Sequence, residues 1–232
     1  MKYRVKFSKI GPIKYIGHLD VMRYFQKAIR RANIPVAYSE GFSPHQILSF
    51  AFPLSVGFTS EGEYFDIELT DEVNCCEIRE RLNGVMSEGI KVIDVKALDE
   101  KSINCMSAVF AASYRVTIKD DISLPDNYID IFNDYFSQET IVVNKPKKKG
   151  GGFIEINLKQ FLYNYSIDGR VLEFTVNASS SDNIRPGFVI DMYYEALGIS
   201  PRDNSYNVHR LDLFGNISLD ENEIKLCSLI DI

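Results

Sequence analysis

The segment KPKKKGGGF, Lys145 to Phe153, sets Lys147, Lys148 and Lys149 directly before Gly150, Gly151 and Gly152. Three successive glycines cost backbone entropy, so a loop kept for packing alone would gain from losing them. Bare consecutive amides can instead turn inward and cradle an oxyanion. The lysines would add charge and counterion release on a polyanion. No Gly-Lys-Ser/Thr follows, so the loop is not that of a nucleotide hydrolase. In NIRPG, Arg185 places a further cation at the start of a helix, where anions bind readily. The plain alternative for the lysine–glycine run is a flexible hairpin tip.

A second basic cluster lies in HLDVMRYFQKAIRRANI. Arg23, Lys27, Arg30 and Arg31 recur at spacings of three and four, opposite an apolar stripe read as Leu19, Met22, Phe25, Ala28 and Ile29. No acid on that face supplies the usual i,i+4 pairs, and a phosphate partner would cancel the repulsion. The alternative is a solvated outer face. His18 opens the helix. His18 or Asp20 can cap the first amides, or His18 can move protons near neutrality. Two residues apart, His18 and Asp20 do not face each other, so capping is the favoured expectation. In EGFSPHQILSF, a bent Gly-Phe-Ser-Pro turn carries Phe42, Ser43 and His45 at its tip, for stacking on a base and donating a hydrogen bond. A turn with a buried aromatic is the structural alternative.

Bulk properties bound these readings. The chain has 232 residues, 45% of them hydrophobic, with formal net charge −6. That is an ordinary globular composition. Residues 2–31 nevertheless hold nine Lys/Arg against Asp20, a local +8, while the stretch from Asp212 onward carries five acids and one lysine, a local −4. An acidic total therefore leaves room for an electropositive face. Cys75, Cys76, Cys105 and Cys227 form no Cys-x-x-Cys pair and, with three histidines, no metal-ligand spacing. Free thiols are expected, and neither metal nor cofactor. The first residues alternate as a strand rather than forming a signal peptide, and no apolar run approaches the about 18 residues of a membrane span. The expected location is the cytoplasm.

The elements that must position these residues read as strand, helix, hairpin, helix, strand, twice over. YRVKFSK and GEYFDIELT alternate as half-buried strands, CCEIRERLNGVMSEGI is a second helix and KVIDVKAL a closing strand. After a polar linker at 99–107, ASYRVTIK, NYIDIFNDYF, FLYNYSIDGRVLEFTVNA, RPGFVIDMYYEALG and YNVHRLDLF repeat the order. Asp168-Gly169 suits a type I′ turn, Pro186 a first helical turn and Gly198 a helix stop. The expected fold is α+β: two tandem ferredoxin-like β-α-β-β-α-β lobes with antiparallel sheets. The expected domains are residues 1–98 and 108–215, followed by an acidic tail at 216–232.

YRVKFSKIGPIKYIGHLDVMR, AYSEGFSPHQILSFAFPLSVGFTSEGEYFDIEL and NIRPG together resemble the bacterial radical-SAM-linked (radical-SAM-associated) protein family, a domain of unknown function. The likeness covers most of the chain and is densest over 3–69. Where the family pattern has Glu-Ile-Asp, this chain has Glu155-Ile156-Asn157. The resemblance implies partnership in trans with a radical-SAM enzyme, in nucleic-acid or translation-related chemistry. The chain has no Cys-x-x-x-Cys-x-x-Cys run of its own. The leading expectation is thus an accessory module that presents RNA or another anionic substrate on a basic surface. Its rival, by analogy of fold, is a metal-independent endoribonuclease using His18; a protein–protein scaffold is a third.

Overall fold

The computed structural model describes residues 1–147, 150–200, 202, 204–220 and 223–232. The fold is mixed α+β, with a large, mostly antiparallel sheet and several helices. In chain order the elements are β1 (Lys2–Lys9), α1 (His18–Arg31), β2 (Leu48–Phe50), β3 (Thr59–Glu68), α2 (Cys75–Asn83), β4 (Ile90–Leu98), α3 (Cys105–Ala108), β5 (Ala111–Ile118), α4 (Tyr128–Ser137), β6 (Val142–Pro146), β7 (Phe153–Asn157), β8 (Leu162–Asp168), β9 (Val171–Asn177), α5 (Pro186–Ala196), β10 (Tyr206–Asn216) and β11 (Leu226–Ser228). They form two compact units, residues 1–111 with 209–232, and residues 112–208.

In the first unit β1, α1, β2, β3, α2 and β4 follow one another along the chain. β1 lies between β3 and β4, antiparallel to both, and β2 pairs antiparallel with β3. Tyr3, Val5 and Phe7 from β1 meet Phe65 and Ile67 from β3 and Phe25 and Ile29 from α1 in one core. The period-2 pattern of the strands and the 3.6-residue pattern of the helix thus converge on one apolar layer. The helical stripe differs from expectation. Val21, Phe25, Ala28 and Ile29 are buried, whereas Leu19 is 64% exposed. The inward series starts at His18, which shifts the first turn by one residue.

β1 was expected to be half-buried, with its basic residues outward. Instead Arg4 is fully buried. Its guanidinium bonds Asp66 and donates to the carbonyls of Ile103, Leu229 and Ile232. This side chain accounts for two departures from the expected domain plan. The segment at 99–107 is not a free linker: Asn104 caps α3, and Cys105 N–H donates to Asp66 at 2.7 Å. Nor is 216–232 a separate tail, because β11 pairs with β10 and the Leu229 and Ile232 carbonyls serve Arg4. The boundary between units falls at 111/112 rather than in 99–107.

In the second unit β9 lies between β5 and β8, while β6 and β7 form a separate two-stranded ribbon. Phe132 and Phe136 on α4 meet Tyr193 on α5, the Phe132–Tyr193 rings standing edge-on at 5.3 Å. Pro186 opens α5 and Gly198, at φ +70°, follows its end, as expected. The β8–β9 turn differs. Asp168 pairs with Val171, so the central residues are Gly169 and Arg170, and Gly169 alone has positive φ. That is the sign pattern of a type II′ turn, not type I′. No helix among the described residues is long and apolar enough to cross a membrane.

Candidate functional site

The outer face of α1 carries Arg23, Lys27, Arg30 and Arg31, all exposed. Its isolation from acids is less complete than the sequence implies. Asp20 Oδ1 lies 3.4 Å from Arg23, and Arg31 donates to the Val85 carbonyl at 3.1 Å. An exposed pair of that length is worth about 0–1 kcal/mol, so the face stays cationic. The +8 of residues 2–31 is divided by the fold. Arg4 pairs inside with Asp66 and Lys6 with Asp212, whereas the α1 cations remain outward.

The loop after α1 packs beside this face. Tyr38 and Gln46 form an isolated bridge at its neck, and Ser39 N–H donates to the His45 carbonyl at 2.8 Å. Gln46 Nε2 then donates to the Gln26 carbonyl on α1 at 3.2 Å, an acceptor shared with Arg30 Nε. At the tip, Gly41 has φ +107°, a conformation that favours glycine, and Phe42 is 112% exposed. Phe42 is therefore not the buried aromatic of the structural alternative. Ser39 Oγ accepts from His45 N–H and stands 2.8 Å from Nδ1. Either atom can be the donor in that contact, because a hydroxyl accepts twice and donates once. Ser43 is exposed at the same tip.

His18 does not cap α1. The N-cap is Gly17, neither His18 nor Asp20 makes a side-chain cap bond, and the imidazole stands edge-on to Phe50 at 5.7 Å and 88°. His18 instead lines a cavity of about 10 Å³, partly open to solvent, with Lys9, Glu63, Phe7 and Phe50. Lys9 Nζ donates to the Lys14 and Ile16 carbonyls. Arg210 bonds both Glu63 oxygens and the carbonyls of Phe52 and Pro53. Burial holds the Lys9 and His18 pKa values below their ordinary positions, and the Lys9 charge lowers His18 further. This charged cluster lay beyond sequence reasoning. Lys9 counted among the surface charges, although it falls in phase with Tyr3, Val5 and Phe7, and Glu63 and Arg210 are 147 residues apart.

In the second unit, Gly150, Gly151 and Gly152 cap the β6–β7 ribbon with φ values of +82°, +69° and +78°. Lys147 N–H closes the tip on the Gly152 carbonyl at 3.0 Å. Left-handed backbone at three consecutive positions explains the run through turn geometry, with no close approach of another group among the described residues. Lys147 is exposed, while Lys148 and Lys149 lie outside the described residues. Arg185 is the exposed N-cap of α5 and makes no side-chain cap bond. Asn157 Oδ1 accepts from Ile141 N–H and Lys159 N–H. An aspartate has the same acceptor, so a structural role here survives the exchange of acid for amide. Among the described residues no group of His, Cys, Asp and Glu is placed to hold a metal.

A mixed α+β chain with a cationic helix and an exposed aromatic loop is the class that these features define. The chain belongs to a family of uncharacterized proteins conserved in bacteria (DUF2344), whose model matches residues 2–186. No curated protein matches it. Among solved structures, the crystal structure of a Cbf5-Nop10-Gar1 complex is similar, with 11% identity and a TM-score of 0.48 over 91% of this chain and 48% of that one. The chain thus spans about half the length of that solved chain.

Proposed function

We propose that this protein is an accessory module that binds single-stranded RNA on the first unit, along the outer face of α1 and the Tyr38–Gln46 loop. The observation that carries the reading is the Gln46–Gln26 hydrogen bond. It fastens the base of a loop bearing an exposed Phe42 to the helix bearing Arg23, Lys27 and Arg30. Cations that follow a phosphate backbone beside an aromatic on which bases stack are the usual means of binding single strands. The exposed His45 ring can hydrogen-bond a base edge from the same loop. Lys147 to Lys149 and Arg185 extend the proposal to the second unit as further phosphate contacts. The resemblance to radical-SAM-linked proteins supports presentation of the bound strand to such an enzyme in trans. The neighbour order β4-β1-β3-β2 supports reading the first unit as a ferredoxin-like lobe.

Binding of a labelled single-stranded RNA, followed by fluorescence anisotropy, tests this reading. Phe42→Ala should cost about 1–3 kcal/mol of affinity, the worth of one stacked base. Wild-type protein that gives no saturable binding at low salt would remove the proposal.

A second reading, a metal-independent endoribonuclease, is favoured by one observation: His18 faces the Lys9 cavity instead of capping its helix. Purified protein cutting RNA in the presence of a chelator, with cutting lost in His18→Ala, would establish the enzyme over the accessory module.

A further inference from the structure

The geometry points to a second ligand site in the first unit, where the cavity between β1 and the start of α1 takes one oxygen of a phosphate monoester against Lys9 and His18. The argument starts from unspent hydrogen-bonding capacity. An ammonium has three protons, and Lys9, which is 2% exposed, places two of them on the Lys14 and Ile16 carbonyls. The third has no acceptor among the described residues. Both His18 ring nitrogens are likewise without a hydrogen-bond partner there, the imidazole being held by its edge contact with Phe50. Lys9 and His18 line the same cavity of about 10 Å³. That is room for about one water-sized atom, enough for one oxygen with the rest of its group at the opening.

Charge selects the kind of oxygen. Lys9 and Arg210 set two cations against the Glu63 carboxylate, while the neighbouring Asp212 is matched by Lys6 at 3.0 Å. Tyr64, also at the cavity, donates its hydroxyl to Asp212 and brings no charge. The surroundings therefore hold one net positive charge, and His18 adds a second when protonated. A carboxylate would match only the first. A phosphate monoester, whose second pKa lies near about 6, carries close to two negative charges at neutral pH and matches both. Burial of an unmatched charge is costly, so this complementarity favours the dianion. The site does not depend on RNA binding at the outer face of α1, since His18 points to the opposite side of the helix.

The test is an NMR titration of the His18 ring signals in the full chain with inorganic phosphate. The expected result is saturable shifts, a His18 pKa that moves up in the bound state, and binding at least about tenfold weaker in His18→Gln, a change of about 1.4 kcal/mol. Because Lys9→Met removes two carbonyl contacts and can unfold the loop, His18→Gln is the deciding variant. A 5′-phosphorylated ribonucleotide trimer and its 5′-hydroxyl counterpart form the other arms. Tighter binding of the phosphorylated trimer than of inorganic phosphate assigns the site to a nucleic-acid end, and equal binding assigns it to free phosphate. Absence of shifts at millimolar phosphate, or weak shifts that persist in His18→Gln, means that the cavity holds only water and overturns the inference.

Discussion

Arg4 and Asp66, 62 residues apart, meet at two points, Nε to Oδ1 at 2.8 Å and Nη2 to Oδ2 at 3.2 Å, with the arginine fully buried. The remaining donors reach three carbonyls, so one side chain ties β1 to β3, to the approach to α3 and to the segment after β11. Removing one partner of a buried pair strands the other's charge, at a cost of about 3–5 kcal/mol. Arg4→Met should lower stability by that amount in urea unfolding. Arg4→Lys should not rescue it, because a single ammonium cannot reproduce the planar fork. A loss below about 1 kcal/mol would show that the pair does not fasten the unit.

Cys105 is the buried member of the four free thiols. Its Sγ donates to the Ser49 carbonyl, and burial, with the Asp66 charge beside it, pushes its pKa up to about 12. At pH 8 the thiolate fraction is then on the order of 10⁻⁴. Alkylation of the native protein at that pH should label exposed Cys76 and leave Cys105 untouched until denaturant is added, as read by peptide mass spectrometry. Labelling of Cys105 at the rate of Cys76 in native protein would contradict its burial.

What the sequence disclosed follows from the range of the forces involved. β3 and the body of α1 were readable because alternation and helical spacing are local consequences of burying one face. The first turn of α1 was not, since His18 and Leu19 both continue a stripe through Phe25. Phe50, which lies 32 residues from His18 and holds it by an edge contact, settles the choice. The Lys147–Gly152 run was visible as a loop, but its glycines serve left-handed turn geometry, which composition alone cannot separate from anion binding. Arg4 counted toward a basic surface because alternation sets it opposite Tyr3, Val5 and Phe7, and Lys9 because of its charge, although its position is in phase with those three. Only the chain's return through Asp66 and through the carbonyls of Lys14 and Ile16 takes them inside.

The outer face of α1 supplies a prediction about salt. If Arg23, Lys27 and Arg30 each neutralise a phosphate of a single strand, each lost contact reduces the slope of log affinity against log salt by about 0.7. The triple change to Gln should therefore flatten the slope by about 2, while Phe42→Ala weakens binding and leaves the slope alone. Anisotropy titrations across a salt series measure both. An unchanged slope in the triple variant would move the phosphate contacts away from α1.

His18 gives the pH dependence of stability. Burial, reinforced by the Lys9 charge, lowers its pKa in the folded protein. Near the ordinary histidine value the unfolded chain therefore binds more protons than the native one, and stability rises with pH across that window. Acidification from about pH 7.5 to about 5.5 should accordingly destabilise the wild type through this residue. Glu63 and Asp191, whose pKa values burial raises, act in the opposite sense. They are common to wild type and variant, so the comparison isolates the imidazole. His18→Gln, neutral throughout, should lose less stability over the same interval in paired urea titrations. Lys9, Glu63 and Tyr64 line the cavity with the ring, Arg210 is bonded to Glu63, and none of them changes in the variant. Equal losses in both proteins would mean that His18 is solvated at both ends of the window, and the cavity could then not hold it neutral.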